Sequence, residues 1–224
     1  MALLGELQRV FENTYGRPAG VDLEACVVGA RRFAELAAQS PGEHAEMSDW
    51  ARFFYYVEHA NLRLALFYRD EMIAALEAID PRRSLGESNV LPFLVFTEEL
   101  SHAVHTTYAF GEGGARRVHE PSFAAELELL ARIDAYLLLR HFVRGLVRRY
   151  TAADRAWVRH HAVTRWDVPY EDELLAERYQ GAARMAAAYV DHLETLTPVA
   201  QIRELRRFRR LSLAAKRARI ARLN

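Results

Sequence analysis

The sequence predicts an all-α protein, built as a bundle of about four long helices with shorter helices at its periphery. Apolar residues recur at helical spacing, capping residues with proline or glycine mark the segment ends, and alternating strand-like runs are nearly absent. The chain has 224 residues, of which 51% are hydrophobic, so it can bury a sizeable core. We predict one helical domain over residues 1–197, followed by a basic helical tail over residues 198–224.

Three helices are predicted in the first third of the chain. The first covers residues 2–15 and ends at GRPAG, and the second covers residues 22–39 and ends at SPGE. Ser48 has the character of an N-cap, because Asp49 follows in the first turn and a long apolar-rich segment comes after it. We therefore predict one long third helix that ends before Pro81.

The central helices are predicted from their caps and stops. Pro92 suits the first turn of a helix that ends at Gly111 in GEGG, and Ser122 can cap another long helix. Thr151 and Asp154 form a capping-box pattern before a shorter helical segment. A last long helix is predicted in WDVPYEDELLAERYQGAARMAAAYVDHLE.

The tail begins at Thr197 and Pro198 and is predicted to form two short helices that meet near Ser212. It carries nine basic residues and one acid, a net charge of +8, so the remainder of this formally neutral chain carries −8. These opposite net charges favour contact between the tail and an acidic surface of its own chain. Binding to nucleic acid or to an anionic membrane is the less favoured alternative.

Cysteine content and hydropathy bear on the compartment. Cys26 is the one cysteine, so the chain forms no internal disulfide, as is typical of a reducing compartment. No stretch reaches the roughly 18 to 20 apolar residues that a membrane span requires, and the N-terminus lacks a secretory pattern. We expect a cytoplasmic protein.

The segment FTEELSHAVHTTYAFGEGG concentrates titratable residues in an apolar helix. Glu99 and His102 are three residues apart and share its apolar face, whereas Glu98 and His105 lie on an overlapping face. A buried carboxylate is costly unless it is paired or protonated, so these residues are expected to have partners. A carboxylate and an imidazole at this spacing can hold one metal ion, and a buried hydrogen-bonded pair is the alternative.

This Glu-x-x-His spacing resembles that of the ferritin-like di-iron and di-manganese carboxylate bundles, in which facing helices supply further ligands. A second Glu-x-x-His is missing, because Tyr189 stands three residues before His192. The resemblance implies an iron or manganese oxidoreductase that acts on a small-molecule substrate, with a homo-oligomer as one possible assembly. The implied ligands are Glu99, His102, Glu58, Glu128 and Glu177, followed by Glu98, His105, Asp134 and His192.

Two other functions are compatible with the sequence. EELSH differs from the His-Glu-x-x-His motif of zinc hydrolases at its first position, so zinc would be held by Glu98, His102 and His105 with Glu99 as general base. The second alternative is a non-catalytic helical protein whose basic tail mediates an interaction. The sequence favours iron or manganese over zinc, and it names no substrate.

Overall fold

A computed structural model describes residues 2–39, 50–164 and 173–223 of the chain. The described part is mainly helical and contains a small three-stranded sheet. Its helices are α1 (Ala2–Tyr15), α2 (Ala30–Gln39), α3 (Asp70–Ala78), α4 (Val90–Val118), α5 (Phe123–Leu146), α6 (Ala152–Arg159), α7 (Glu173–Thr195), α8 (Pro198–Arg209) and α9 (Leu213–Ala221). A short 3-10 helix (Glu24–Cys26) and a π-helical turn (His160–Thr164) complete the helical elements, and the strands are β1 (Val27–Val28), β2 (Ala51–Glu58) and β3 (Asn61–Tyr68).

The long helices α4, α5 and α7 pack together, with α5 between the other two. Leu100 and Val104 on α4 and Leu129 and Ile133 on α5 are fully buried between them. The first helical segment of α4 runs a little past the predicted end at Gly111 to a break at Gly114, and a second segment continues to Val118. The prediction still identified the irregular region, because Gly114 has a left-handed φ of 61° and kinks the helix there.

The predicted long helix over residues 48–80 is wrong. In its place β2 and β3 form an antiparallel hairpin with Glu58 opposite Asn61, and within the described residues 50–80 the helical element is α3. Aromatic and aliphatic residues fill both strands, and the buried Phe53 pairs with the buried Leu66. The two turn residues His59 and Ala60 both have positive φ, as a two-residue hairpin turn requires. Neither is glycine, so the usual sequence signal of such a turn is missing.

The sheet has the strand order β1-β3-β2, with β1 parallel to β3. One side of the hairpin packs against α4, where Tyr68 stacks on Phe96 with ring centroids 4.6 Å apart. The hairpin, which replaces the predicted third helix, therefore packs against α4. The all-α prediction is corrected to a mainly helical fold with a small mixed sheet.

The basic tail folds back on the rest of the chain. Its apolar residues Leu205, Phe208 and Ile220 belong to the same core cluster as α4 and α5. The side chain of Lys216 is fully buried, and its Nζ donates to Glu126 Oε1 at 2.7 Å. A further ion pair joins Arg209 to Glu112 on α4, and Arg219 pairs with Glu204 within the tail. Across the described ranges no helix is long and apolar enough to span a lipid bilayer.

Candidate metal centre

Three buried side chains from α4 and α5 form the candidate site. Glu98 and His102 are four residues apart on α4, so they project from one face, and Glu128 faces them from α5. Each offers one ligand atom, and these atoms all lie within 4.8 Å of one another. The exposed fractions of the three residues are 7%, 5% and 4%. Among the described residues this is the group whose geometry suits a metal ion.

Two atoms of the group have no hydrogen-bond partner. His102 Nε2 and Glu128 Oε2 are both buried and unpartnered, and they lie 3.9 Å apart. That distance is too long for a hydrogen bond. Two ligand atoms that each lie about 2.1 Å from one ion are separated by roughly 3.0 to 4.2 Å, depending on the angle between them. The separation therefore fits joint coordination of an ion, and small side-chain rotations would bring in Glu98.

Glu99 lies on the other side of the His102 ring. Its Oε2 is 3.7 Å from His102 Nδ1, so its negative charge favours a proton on that nitrogen. The lone pair of the neutral ring then lies on Nε2, the atom that faces Glu128. A carboxylate that orients a ligating imidazole in this way is a recurrent feature of metal sites. Glu99 is thus placed to position His102, whereas Glu98 is placed to ligate.

Burial and charge make this group take up protons when no cation is bound. Burial, together with the nearby Glu128 carboxylate, raises the pKa of Glu98 to about 8. Burial lowers the pKa of His102, but the carboxylates of Glu128, Glu99 and Glu98 outweigh that effect and raise it to about 9. Near neutral pH, without a cation, Glu98 is therefore neutral and His102 is positively charged. A divalent ion would take the place of those two protons.

Arg132 contributes positive charge from one turn further along α5. It is 2% exposed, its guanidinium carbon lies 6.0 Å from the ring centroid of Tyr179, and its charge lowers the pKa of Glu98. This lowering is smaller than the raising effects of burial and Glu128. Arg132 therefore offsets part of the negative charge of the carboxylates without removing the preference of Glu98 for a proton.

His105 and Asp134 belong to a separate buried cluster. Asp134 Oδ2 accepts a hydrogen bond from Ser101 Oγ at 2.6 Å and lies 2.8 Å from His105 Nε2. Asp134 Oδ1 accepts a hydrogen bond from Tyr15 at 2.5 Å, and burial together with this carboxylate raises the pKa of Tyr15 well above its usual value. With these three partners Asp134 is a satisfied buried carboxylate that links α1, α4 and α5. The structure does not bring it or His105 into the Glu98, His102 and Glu128 group.

The remaining predicted ligands lie outside the group. Glu58 is exposed at the end of the hairpin, where its Oε2 lies 3.4 Å from Arg63 Nε. Glu177 is exposed on α7, and the half-buried His192 has its ring centroid 6.3 Å from that of Tyr189. The resemblance implied Glu58 as a ligand, but the hairpin that replaces the predicted third helix places Glu58 at its exposed end.

The resemblance ranks Glu98 below Glu99 as a ligand, whereas the structure places Glu98 in the buried group. Its spacing of four residues from His102 places the two on one helix face, and this signal is visible in the sequence. The sequence did not show that Glu128, rather than a residue of the predicted third helix, faces this pair. The partner on α5 depends on how α4 and α5 pack.

No protein-family model matches the chain, and neither curated proteins nor solved structures show a significant match to it. The resemblance to ferritin-like bundles therefore rests on the residues and their placement alone. The structure shows a mostly helical protein with a buried group of Glu98, His102 and Glu128 that could hold a metal ion.

Proposed function

We propose that the protein binds one divalent iron or manganese ion through Glu98, His102 and Glu128, and that this centre serves an oxidoreductase reaction. The observation that carries the proposal is the pair of buried, unpartnered atoms His102 Nε2 and Glu128 Oε2. Buried polar atoms in native proteins nearly always have partners, and each exception calls for an explanation. A shared metal ion satisfies both atoms at once.

The donor set favours iron or manganese over zinc. Two carboxylates and one imidazole provide mostly oxygen ligands, which suit manganese and ferrous iron, and three protein ligands leave coordination positions for a substrate. When bound, such an ion supplies redox chemistry and Lewis acidity at a site shielded from bulk water. The protein residues have separate tasks: Glu98 and Glu128 supply negative charge, and Glu99 holds the proton on His102 Nδ1.

The zinc hydrolase alternative receives less support from the geometry. It requires Glu99 as a general base beside the ion, whereas Glu99 lies against His102 Nδ1, on the side of the ring opposite Nε2. The dinuclear form implied by the ferritin-like resemblance requires further ligands from neighbouring helices. Because Glu58 and Glu177 are exposed, we propose a stoichiometry of one ion per chain.

The proposal is tested by reconstituting purified protein with Fe²⁺ or Mn²⁺ under anaerobic conditions and measuring bound metal by elemental analysis after desalting. We expect about one ion per chain for the wild type, and loss of that ion in Glu128→Gln and His102→Ala, because each change removes a ligand. Glu58→Gln is the matched control, since Glu58 is an exposed glutamate outside the group, and it should retain the ion.

Two results would overturn the proposal. The first is wild-type protein that holds less than a tenth of an equivalent of iron, manganese or zinc. The second is full occupancy in Glu128→Gln. If zinc alone bound at one equivalent per chain, the metal site would be confirmed and the proposed oxidoreductase role would be wrong. Circular dichroism of each variant would show whether the fold is retained.

A further inference from the structure

An open cleft of about 460 Å³ lies between α1, α5 and α8, outside the metal group. Its α5 wall runs from Asp134 to Gly145. These residues span about 16 Å along the helix at 1.5 Å per residue. Apolar side chains from all three helices line most of the cleft, namely Val10, Phe11, Leu137, Leu138, Ile202 and Leu205. The volume lies in the range of small-molecule sites.

One end of the cleft carries a preorganised arginine. Arg140 Nη2 donates to Gln201 Oε1 at 2.8 Å, and its guanidinium carbon lies 5.5 Å from the ring centroid of Tyr136. Gln201 is fixed in turn, because its amide donates to the carbonyl of Leu193 at 2.7 Å. These contacts hold the guanidinium plane and engage one of its three nitrogens. The other nitrogens can donate to a ligand at little further cost in side-chain entropy.

The cleft lining at this end is positive, and the nearby Glu194 carboxylate lies outside the lining, where it accepts a hydrogen bond from Tyr136. Arg144 follows Arg140 by one helical turn and lies over the ring of Tyr150, and the exposed His141 lies between them in sequence. Within the described ranges no carboxylate forms an ion pair with any of these three residues. The lining contains a single acid, Asp134, which already has its three partners at the far end. A cationic mouth next to an apolar wall suits a ligand with an anionic head and an apolar chain.

We propose that this cleft binds a medium-chain alkyl carboxylate, with its head on Arg140 and Arg144 and its chain along the apolar wall. An alkyl carboxylate satisfies both features, because a guanidinium binds a carboxylate through paired hydrogen bonds and the chain displaces water from the wall. The cleft shares no residue with the metal group, so this site goes beyond the proposed metal function and is tested without metal.

The test is isothermal titration calorimetry of the purified protein with hexanoate, octanoate and decanoate, each below its micelle-forming concentration. We expect one site per chain, and affinity that rises about fourfold per added methylene because each one buries apolar surface. Decanol should bind at least tenfold more weakly than decanoate. Inorganic phosphate should not displace decanoate at equal concentration, since it lacks the chain.

Three variants localise the binding. Ile202→Trp fills the cleft and should abolish decanoate binding, and Arg144→Gln should weaken it roughly fivefold to tenfold. Arg203→Gln is the matched control, because Arg203 is an exposed cation on α8 outside the cleft. Its affinity should match that of the wild type. All three positions are at least partly exposed, and thermal melting would verify that each variant folds.

Four outcomes would overturn the proposal. Equal binding of decanol would remove the role of the carboxylate, and displacement by inorganic phosphate would indicate a simple anion site. Unchanged affinity in Ile202→Trp would place the ligand elsewhere. An equal loss of decanoate affinity in Arg203→Gln and Arg144→Gln would show that the ligand responds to the general positive charge of this region and not to a specific contact with Arg144. Metal content does not enter any of these measurements.

Discussion

The affinity of the candidate centre for metal should rise steeply with pH. In the metal-free protein the pKa of Glu98 is about 8 and that of His102 is about 9. Metal binding requires an ionised Glu98 and an unprotonated His102 Nε2, so each group releases a proton when the ion binds. Below pH 8 both protons are present in most molecules and oppose binding. The apparent association constant should therefore increase with pH and level off above about pH 9.

The magnitude follows from the two pKa values. The interval from pH 6.5 to 7.5 lies below both pKa values, so each group relieves proton competition by up to about tenfold and the two together by roughly 50- to 100-fold. The assay is a competition titration of Mn²⁺ against a chelator whose own pH dependence is known. Glu98→Gln removes one of the two competing protons together with one ligand. The variant should bind Mn²⁺ more weakly than the wild type, and its affinity should change only about tenfold over the same pH interval. A wild-type change below threefold would refute the proton competition that the burial of these groups implies.

Three further predictions concern the structure around the site. Asp134→Asn should lower the free energy of unfolding by about 2 to 3 kcal/mol in urea titrations, because three buried donors on α1 and α4 lose a charged acceptor. Lys216→Met should cost about 2 to 3 kcal/mol in the same assay, because Glu126 keeps Arg117 but loses its buried lysine partner; an unchanged midpoint would contradict the anchoring role of the tail. Ala60→Gly should instead raise the free energy of unfolding by about 0.5 to 1 kcal/mol, seen as a higher thermal midpoint. Ala60 has a φ of 63° in the hairpin turn, and glycine adopts that conformation without strain.

The sequence was sufficient to predict the helices whose ends carry explicit signals. Thr151 and Asp154 form the capping box that their spacing indicated, and Pro198 stands at the start of α8. The hairpin was missed because its turn residues, His59 and Ala60, adopt positive φ without glycine, asparagine or aspartate. Its strands also contain apolar residues at spacings that fit a helix as well as a strand. Pairing between β2 and β3 decided the outcome, and such pairing is a tertiary effect.

The structure gathers Glu98, His102 and Glu128 into one buried group, whereas the sequence ranks Glu99 above Glu98 as a ligand. The spacing of Glu99 and His102 identified the segment of α4, and Glu128 was among the expected partners. The choice between Glu98 and Glu99 as ligand depends on which side of the imidazole each carboxylate occupies. That side is set by the packing of α4 against α5 and the hairpin. Helix spacing alone places both glutamates near His102 and leaves their roles open.

The protonation of the metal-free group also bears on which ions it should prefer. Removing one proton from His102 and one from Glu98 while adding a divalent ion leaves the total charge of the buried group unchanged. A trivalent ion would leave one additional positive charge in a site that is nearly inaccessible to water, and buried charge without a partner is costly. A divalent ion such as Mn²⁺ should therefore bind near neutral pH with the release of about two protons, and a trivalent ion should require the loss of a third, for example from a bound water. Release of fewer than one proton per Mn²⁺ at pH 7, measured by calorimetry in buffers of different ionisation enthalpy, would contradict this charge balance.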